Sequence, residues 1–194
     1  MKILFFDTET TGLADFNKRA RDPSQPHIVQ FGGILTGELG TFIRSEDAVS
    51  FPDGWDIPDD AAAVHGITTE RAKEIGIPEK EVAQIALSMI READLLVAYN
   101  LMFDKFIIRC ALRRYEILQD SDDLWWKGLQ SFCPMRAMTP ICNIPGPRGP
   151  KYPKLQEAHV FAFGNEFDNA HDAMADVRAC RDLYLWLQQR KDAA

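Results

Sequence analysis

The apolar run Ile3-Leu4-Phe5-Phe6 passes directly into Asp7-Thr8-Glu9-Thr10-Thr11-Gly12. Lys2 to Phe6 reads as a buried strand, and the two-residue alternation of an extended chain puts Asp7 and Glu9 on one face at its carboxyl end. Two further acids interrupt apolar helical patterns. Asp104, in Asn100-Leu101-Met102-Phe103-Asp104, has Ile108, Ala111 and Tyr115 at offsets of four, seven and eleven. Asp176, in His171-Asp172-Ala173-Met174-Ala175-Asp176, shares a stripe with Ala173, Cys180, Leu183 and Leu187. A fold that buries both stripes against the first strand must gather four carboxylates in one place.

Carboxylates so gathered repel one another by ~4 kcal/mol per pair at 4 Å and an effective dielectric near 20, more than a marginally stable fold readily tolerates. Hard cations resolve the conflict, and an all-oxygen ligand set favours Mg²⁺ or Mn²⁺ over zinc. Two such ions ~4 Å apart stabilise the attacking and leaving oxygens of an in-line phosphoryl displacement, so phosphodiester hydrolysis is the natural reaction. His171, five residues before Asp176, supplies an imidazole with an unperturbed pKa of ~6.5, suited to take a proton from the attacking water.

The chain as a whole fits that chemistry. At 194 residues, with 46% hydrophobic and 26% charged, it reads as a single globular domain, 1–194. No apolar stretch reaches the ~20 residues of a membrane span, and the four apolar residues before Asp7 are too few for a secretory segment, so no membrane association and a cytoplasmic location are expected. Cys110, Cys133, Cys142 and Cys180 form no Cys-x-x-Cys pair, which argues against zinc and a disulfide framework. A net charge of −7 runs against the basic footprint usual in a nucleic-acid binder, but an enzyme gripping a few nucleotides needs only a local cationic path, and divalent metals invert the sign of an acidic cleft.

Further strands are expected at Ile28 to Leu35 and Gly40 to Arg44, joined by a turn over Thr36-Gly37-Glu38-Leu39, with an exposed polar loop from Ala14 to His27. Thr68 or Thr69 caps a short helix ending near Gly76, and Pro78 begins another, amphipathic through Val82, Ile85 and Met89. Leu95 to Tyr99 reads as a short buried strand, and Asn100 as the cap of a helix to Arg114. Residues 119–152, with Trp125-Trp126 and a proline-glycine stretch, read as a loop-rich connection. Those tryptophans are read as buried contacts ahead of base-stacking platforms. Helices follow from Leu155 to Phe163 and from Ala170 to Arg190. The sum is an α/β domain with a mixed sheet of about five strands flanked by helices.

Four motifs, in order, are similar to those of the DEDDh 3′-to-5′ exonucleases, proofreading subunits and RNase T-like enzymes on an RNase H-like fold. They are Phe6-Asp7-Thr8-Glu9-Thr10-Thr11-Gly12-Leu13, Val64-His65-Gly66-Ile67-Thr68, Tyr99-Asn100-Leu101-Met102-Phe103-Asp104 and Ala170-His171-Asp172-Ala173-Met174-Ala175-Asp176. The resemblance implies that Asp7, Glu9, Asp104 and Asp176 hold two Mg²⁺ or Mn²⁺ ions and that His171 is the general base. It implies further that Thr10, Gly12 and Leu13 line the terminal nucleotide, Leu13 wedging against its base, and that His65, Asn100 and Phe103 face the substrate strand. The family often has His where this chain has Tyr99, a departure that touches no metal ligand.

The expected substrate is the 3′ end of single-stranded DNA or RNA, with DNA favoured, and the expected setting is a stand-alone enzyme or a small subunit beside a polymerase. Two rival readings are a non-catalytic nucleic-acid-binding module, which should have lost one of the five residues, and an RNase H-like endonuclease sharing the metal chemistry. Lys105, Arg109 and Arg113, at four-residue spacing beside Asp104, read as a solvated helix face ahead of a phosphate guide.

Overall fold

The first strand does not stop at Phe6. In the computed structural model, which describes residues 1–37 and 40–192, β1 runs Ile3–Thr10 and carries both acids inside the ladder. Antiparallel pairing continues through Asp7 with Gly32, Thr8 with Phe31 and Glu9 with Gln30, because β2, Ile28–Thr36, is long enough to partner every residue. The third strand is also longer than expected. β3 spans Phe42–Phe51, its polar Arg44, Ser45, Glu46 and Asp47 alternating along a border of the sheet. Glu38 and Leu39, half of the anticipated turn, lie outside the described residues.

The chain continues through α1 (Asp59–His65), α2 (Thr69–Ile75), β4 (Ile77–Pro78), α3 (Glu79–Glu92), β5 (Leu95–Val97) and α4 (Leu101–Arg114). Thr68 caps α2 as expected, its hydroxyl accepting the Arg71 N–H. Residues 119–152 are more regular than their prolines suggest, holding α5 (Asp123–Gly128), β6 (Ser131–Phe132) and α6 (Pro134–Cys142). Pro134 occupies the first turn of α6, where a missing N–H costs nothing. The chain ends with α7 (Leu155–Phe163) and α8 (Ala173–Asp192), the latter starting three residues later than its apolar pattern predicts.

Six strands, rather than about five, form one mixed sheet in the order β4-β3-β2-β1-β5-β6. The two-residue strands β4 and β6 pair parallel to β3 and β5; they are too short for alternation to announce them. Leu4 and Phe6 point into a core shared with α3 and α4, whereas Ile3 and Phe5 pack against α6, α7 and α8. Helices on both faces explain why all nine residues of β2 are buried. Gly32 and Gly33 make room for them. A Cβ on Gly32 would sit 2.9 Å from the Ala173 carbonyl carbon of α8, and one on Gly33 would sit 2.8 Å from Met89 Sδ of α3. Among the described residues no helix is long and apolar enough to cross a membrane.

Candidate active site

Alternation along β1 divides the labour of the site. Asp7 and Glu9 share the face of Ile3 and Phe5 and look toward α8; Thr8 shares the face of Leu4 and Phe6 and looks toward α4. From that side Thr8 grips Asp104, its backbone N–H at 3.0 Å and its hydroxyl at 2.9 Å both donating to Oδ1. From the other side α8 brings Asp176, whose Oδ1 accepts the His171 N–H at 3.3 Å. Ligand atoms of Glu9, His171 and Asp176 lie within 4.8 Å of one another.

The electrostatics record the crowding. Asp7 is held far above the usual carboxylate range, first by burial and then by the charges of Asp104, Asp176 and Glu9. Glu9 is pushed up to about 8 by burial and by Asp176 and Asp104. Burial raises Asp104 to about 7 although the two Thr8 donors work against it, and raises Asp176 to about 6 against the His171 N–H. Four oxygen donors that resist ionisation together, with an imidazole beside two of them, are the donor set a hard divalent cation fits.

His171 is exposed and precedes α8 in a left-handed conformation, φ 69°, so its side chain leaves the helix direction and approaches the acids from the side. What fixes this corner was not legible in the motif alone. Asp172 accepts the Ala175 N–H at 2.9 Å, a helix cap, and Gln30 of β2 accepts the Ala173 N–H at 3.2 Å while donating to Asp172 and Asp47. An Asp just before a helical pattern is a recognisable capping signal. Thr8 and Gln30 have no such signature, because their roles depend on partners 96 and 143 residues away.

The residues expected to meet substrate ring the acids unevenly. Thr10 is buried, its hydroxyl donating to the Gly12 carbonyl at 2.7 Å, and Leu13 beyond it is 91% exposed. His65 closes α1, with Gly66 in the left-handed cap conformation. Its Nδ1 accepts the Ile67 N–H at 3.2 Å, so the neutral ring carries its proton on Nε2, which is buried without a hydrogen-bond partner of full geometry. Burial holds the His65 pKa below its ordinary value, the nearby Thr10 carbonyl opposing and His171 reinforcing the shift. Asn100 precedes α4 but does not cap it through its side chain; its backbone is left-handed, φ 72°, and its carbonyl takes the Phe103 N–H instead. Phe103 is half-buried against the α3–α4 core. Tyr99 donates to the Pro153 and Lys154 carbonyls, tying β5 to the start of α7.

The Ala14 to His27 segment is the expected loop, exposed at residues 16–19, and it is pinned at two points: Gln25 is buried and exchanges hydrogen bonds with the Asp15 backbone, and Arg21 pairs with Asp120 at 2.6 Å. One other expectation needs correction. The α4 stripe is not a solvated face. Arg109 and Arg113 are locked by Asp123, Arg113 also by Asp120, and Lys105 lies over the ring of the buried Trp126. The acids at 120 and 123 come from the segment whose composition suggested only loop.

The fold and the acid cluster together define an exonuclease domain of RNase H-like architecture. A model of the RNase T family, described as Exonuclease, matches residues 4–184. The chain belongs to that family. Among solved structures it is similar to E. coli exonuclease I in complex with a dT13 oligonucleotide, at TM-score 0.78 and 24% identity over 99% of this chain and 42% of that one. It is similar also to the zinc-bound form of an exonuclease I–single-stranded DNA complex, at TM-score 0.77 and 24% identity over 98% and 41%. A dA16 complex of the same enzyme matches at TM-score 0.72 and 24% identity over 97% and 41%. The chain thus spans about two fifths of the length of those exonuclease I chains. No curated protein sequence matches it.

Proposed function

We propose that residues 1–194 form one exonuclease unit that removes nucleoside 5′-monophosphates from the 3′ end of single-stranded nucleic acid, DNA in preference to RNA. The observation that carries this reading is the meeting of Glu9, Asp176 and His171 within 4.8 Å at the end of β1, with Asp7 and Asp104 close enough to shift one another's ionisation. The preference for DNA is supported by the single-stranded DNA oligonucleotides bound by the exonuclease I structures of the same fold.

Asp7, Glu9, Asp104 and Asp176 would hold two Mg²⁺ or Mn²⁺ ions, which when bound supply charge neutralisation and Lewis-acid stabilisation of the reacting phosphoryl group. Thr8 orients Asp104 as a ligand. His171, hinged outside α8, accepts the proton of the attacking water as general base. Thr10, Gly12 and Leu13 seat the terminal nucleotide, Leu13 offering an exposed apolar wedge against its base. His65, its Nε2 buried beside the Thr10 carbonyl, backs the segment that seats the terminal nucleotide, and Asn100, just before α4, and Phe103 on it border the strand. Water exclusion by the buried walls strengthens every charge interaction within. The enzyme works in the cytoplasm, alone or beside a polymerase.

Incubation of the purified protein with 3′-accessible, 5′-labelled DNA and RNA strands, in Mg²⁺ and in EDTA, tests the reading. Stepwise metal-dependent shortening of linear strands with no cut in a circular single strand is expected. Failure to shorten either nucleic acid would defeat it.

A further inference from the structure

We propose that the groove between α4 and the segment Phe16 to Arg21 carries the single strand upstream of the scissile 3′ end, an assignment that rests on the exonuclease reading. Two adjoining depressions, of about 340 and 400 Å³, share Phe106 and Arg109 in their walls and run along α4 away from the acids. The head of this path, at Met102 and Lys105, lies at the start of α4, the end of the helix that carries Asp104. From Met102 to Arg113 the helix rises ~16 Å, room for about five stacked nucleotides at ~3.4 Å per phosphate.

The charge along this path opposes that of the molecule. Seven Lys or Arg side chains line it against two Asp, in a chain of net charge −7. The two acids are spent on the wall, Asp123 and Asp120 fixing Arg109 and Arg113, the latter's side chain only 7% exposed. Among the described residues Arg19 and Lys127 have head groups paired with no acid, and Lys105 meets only the face of Trp126, at 5.8 Å. Free cations spaced along a groove are what a phosphodiester backbone recognises. Between them stands Phe16, 53% exposed, its ring 4.9 Å from that of Phe106. An aromatic ring left open to water among lysines and arginines, and backed by a second, offers a surface on which bases of any sequence stack.

The test measures anisotropy of fluorescein-labelled dT20 and dT2, the latter too short to span the groove, in EDTA, with the full chain and with two variants, Arg19→Gln/Lys127→Gln and Phe16→Ala. The wild type should bind dT20 more tightly than dT2. The double variant should lower the slope of log K against log salt for dT20 by about 1.4, the loss expected for two contacts to a single strand. Phe16→Ala should weaken dT20 about tenfold, with dT2 unaffected by more than about twofold in either variant. Equal weakening on both lengths, or none on either, overturns the groove. Metal-dependent shortening of the same oligonucleotides is read in parallel. Loss of shortening in the wild type with the length effect intact would reject the exonuclease reading and leave the groove standing; shortening without the length effect would do the reverse.

Discussion

Thr8 commits both its backbone N–H and its hydroxyl to one oxygen, Oδ1 of Asp104. The strand bearing Asp7 and Glu9 is thus itself the clamp on Asp104, which the proposed function makes a metal ligand. Thr8→Val keeps the β-branched shape and removes one donor. Asp104, already raised to about 7 by burial, should then hold its proton more tightly. Mn²⁺ affinity by calorimetry should fall about 10- to 100-fold, the usual effect of losing a partner of a metal ligand, while Thr8→Ser stays near wild type. Wild-type affinity in Thr8→Val would mean the hydroxyl is idle.

His171→Asn should lower turnover by ~10² to 10⁴ with the fold and metal affinity kept, as for removal of a general base. Asn suits the left-handed backbone of this position better than Ala does. The rate of an end-labelled strand under saturating Mg²⁺ is the measurement. An unchanged rate would reject the role of the imidazole.

Gly32→Ala places a methyl group 2.9 to 3.1 Å from the backbone and Cβ of Ala173. The start of α8 must retreat, carrying Asp176 with it. A cost of about 1–3 kcal/mol is expected, visible as a drop of several degrees in melting temperature together with weaker metal binding. Were stability to fall and metal affinity hold, α8 would be shown to move without its acid.

Stability should respond to pH in a metal-dependent way. Glu9, Asp104 and Asp176 have folded-state pKa values raised to about 8, 7 and 6. An acid raised on folding favours the folded state below its unfolded pKa, and that advantage disappears as pH climbs through the folded value. In EDTA, melting temperature should therefore decline across about pH 5 to 8.5, and Mg²⁺ should recover most at the alkaline end. Glu79 acts oppositely. Its pKa is lowered, despite burial, by His27, Arg114 and the Ile28 N–H, so its contribution is lost only as pH falls below the ordinary carboxylate range. A flat alkaline profile in EDTA would contradict the crowding of the acids.

Glu79→Gln isolates that second network. The buried carboxylate accepts from His27 at 2.7 Å, Arg114 and Tyr115 at 2.8 Å and the Ile28 N–H at 2.9 Å. Removing its charge leaves the Arg114 cation with the Gln25 and Pro26 carbonyls but no counter-ion, so a loss of about 3–5 kcal/mol by denaturant titration is expected, since breaking one side of a buried pair leaves the other uncompensated. A loss under about 1 kcal/mol would show that Arg114 finds another partner.

The parts of this molecule that could be read from the chain are those governed by short-range pattern. Asp7 and Glu9 declared their shared face by alternation, and Asp104 and Asp176 declared theirs by the apolar neighbours three, four and seven residues away. Thr68 at a helix start needed only local chemistry. The extension of β1 through Glu9 did not show, since polar residues there are ordered by pairing with β2. The fate of Arg109 and Arg113 was equally hidden, because Asp120 and Asp123 belong to a segment whose prolines and glycines masked two helices. Tyr99 looked like a substitution in a motif and proved to be a tether.

The outer border of β3 has a further consequence. β4 covers it only at Ser50 and Phe51, leaving its amides from Phe42 to Val49 beside no strand among the described residues. Arg44, Glu46 and Asp47 stand guard along that stretch, and an intruding strand would have to strip them of water. An incoming strand at that seam would have to lie alongside the Arg44–Glu46 ion pair, so charged side chains and not a neighbouring strand close this border of the sheet.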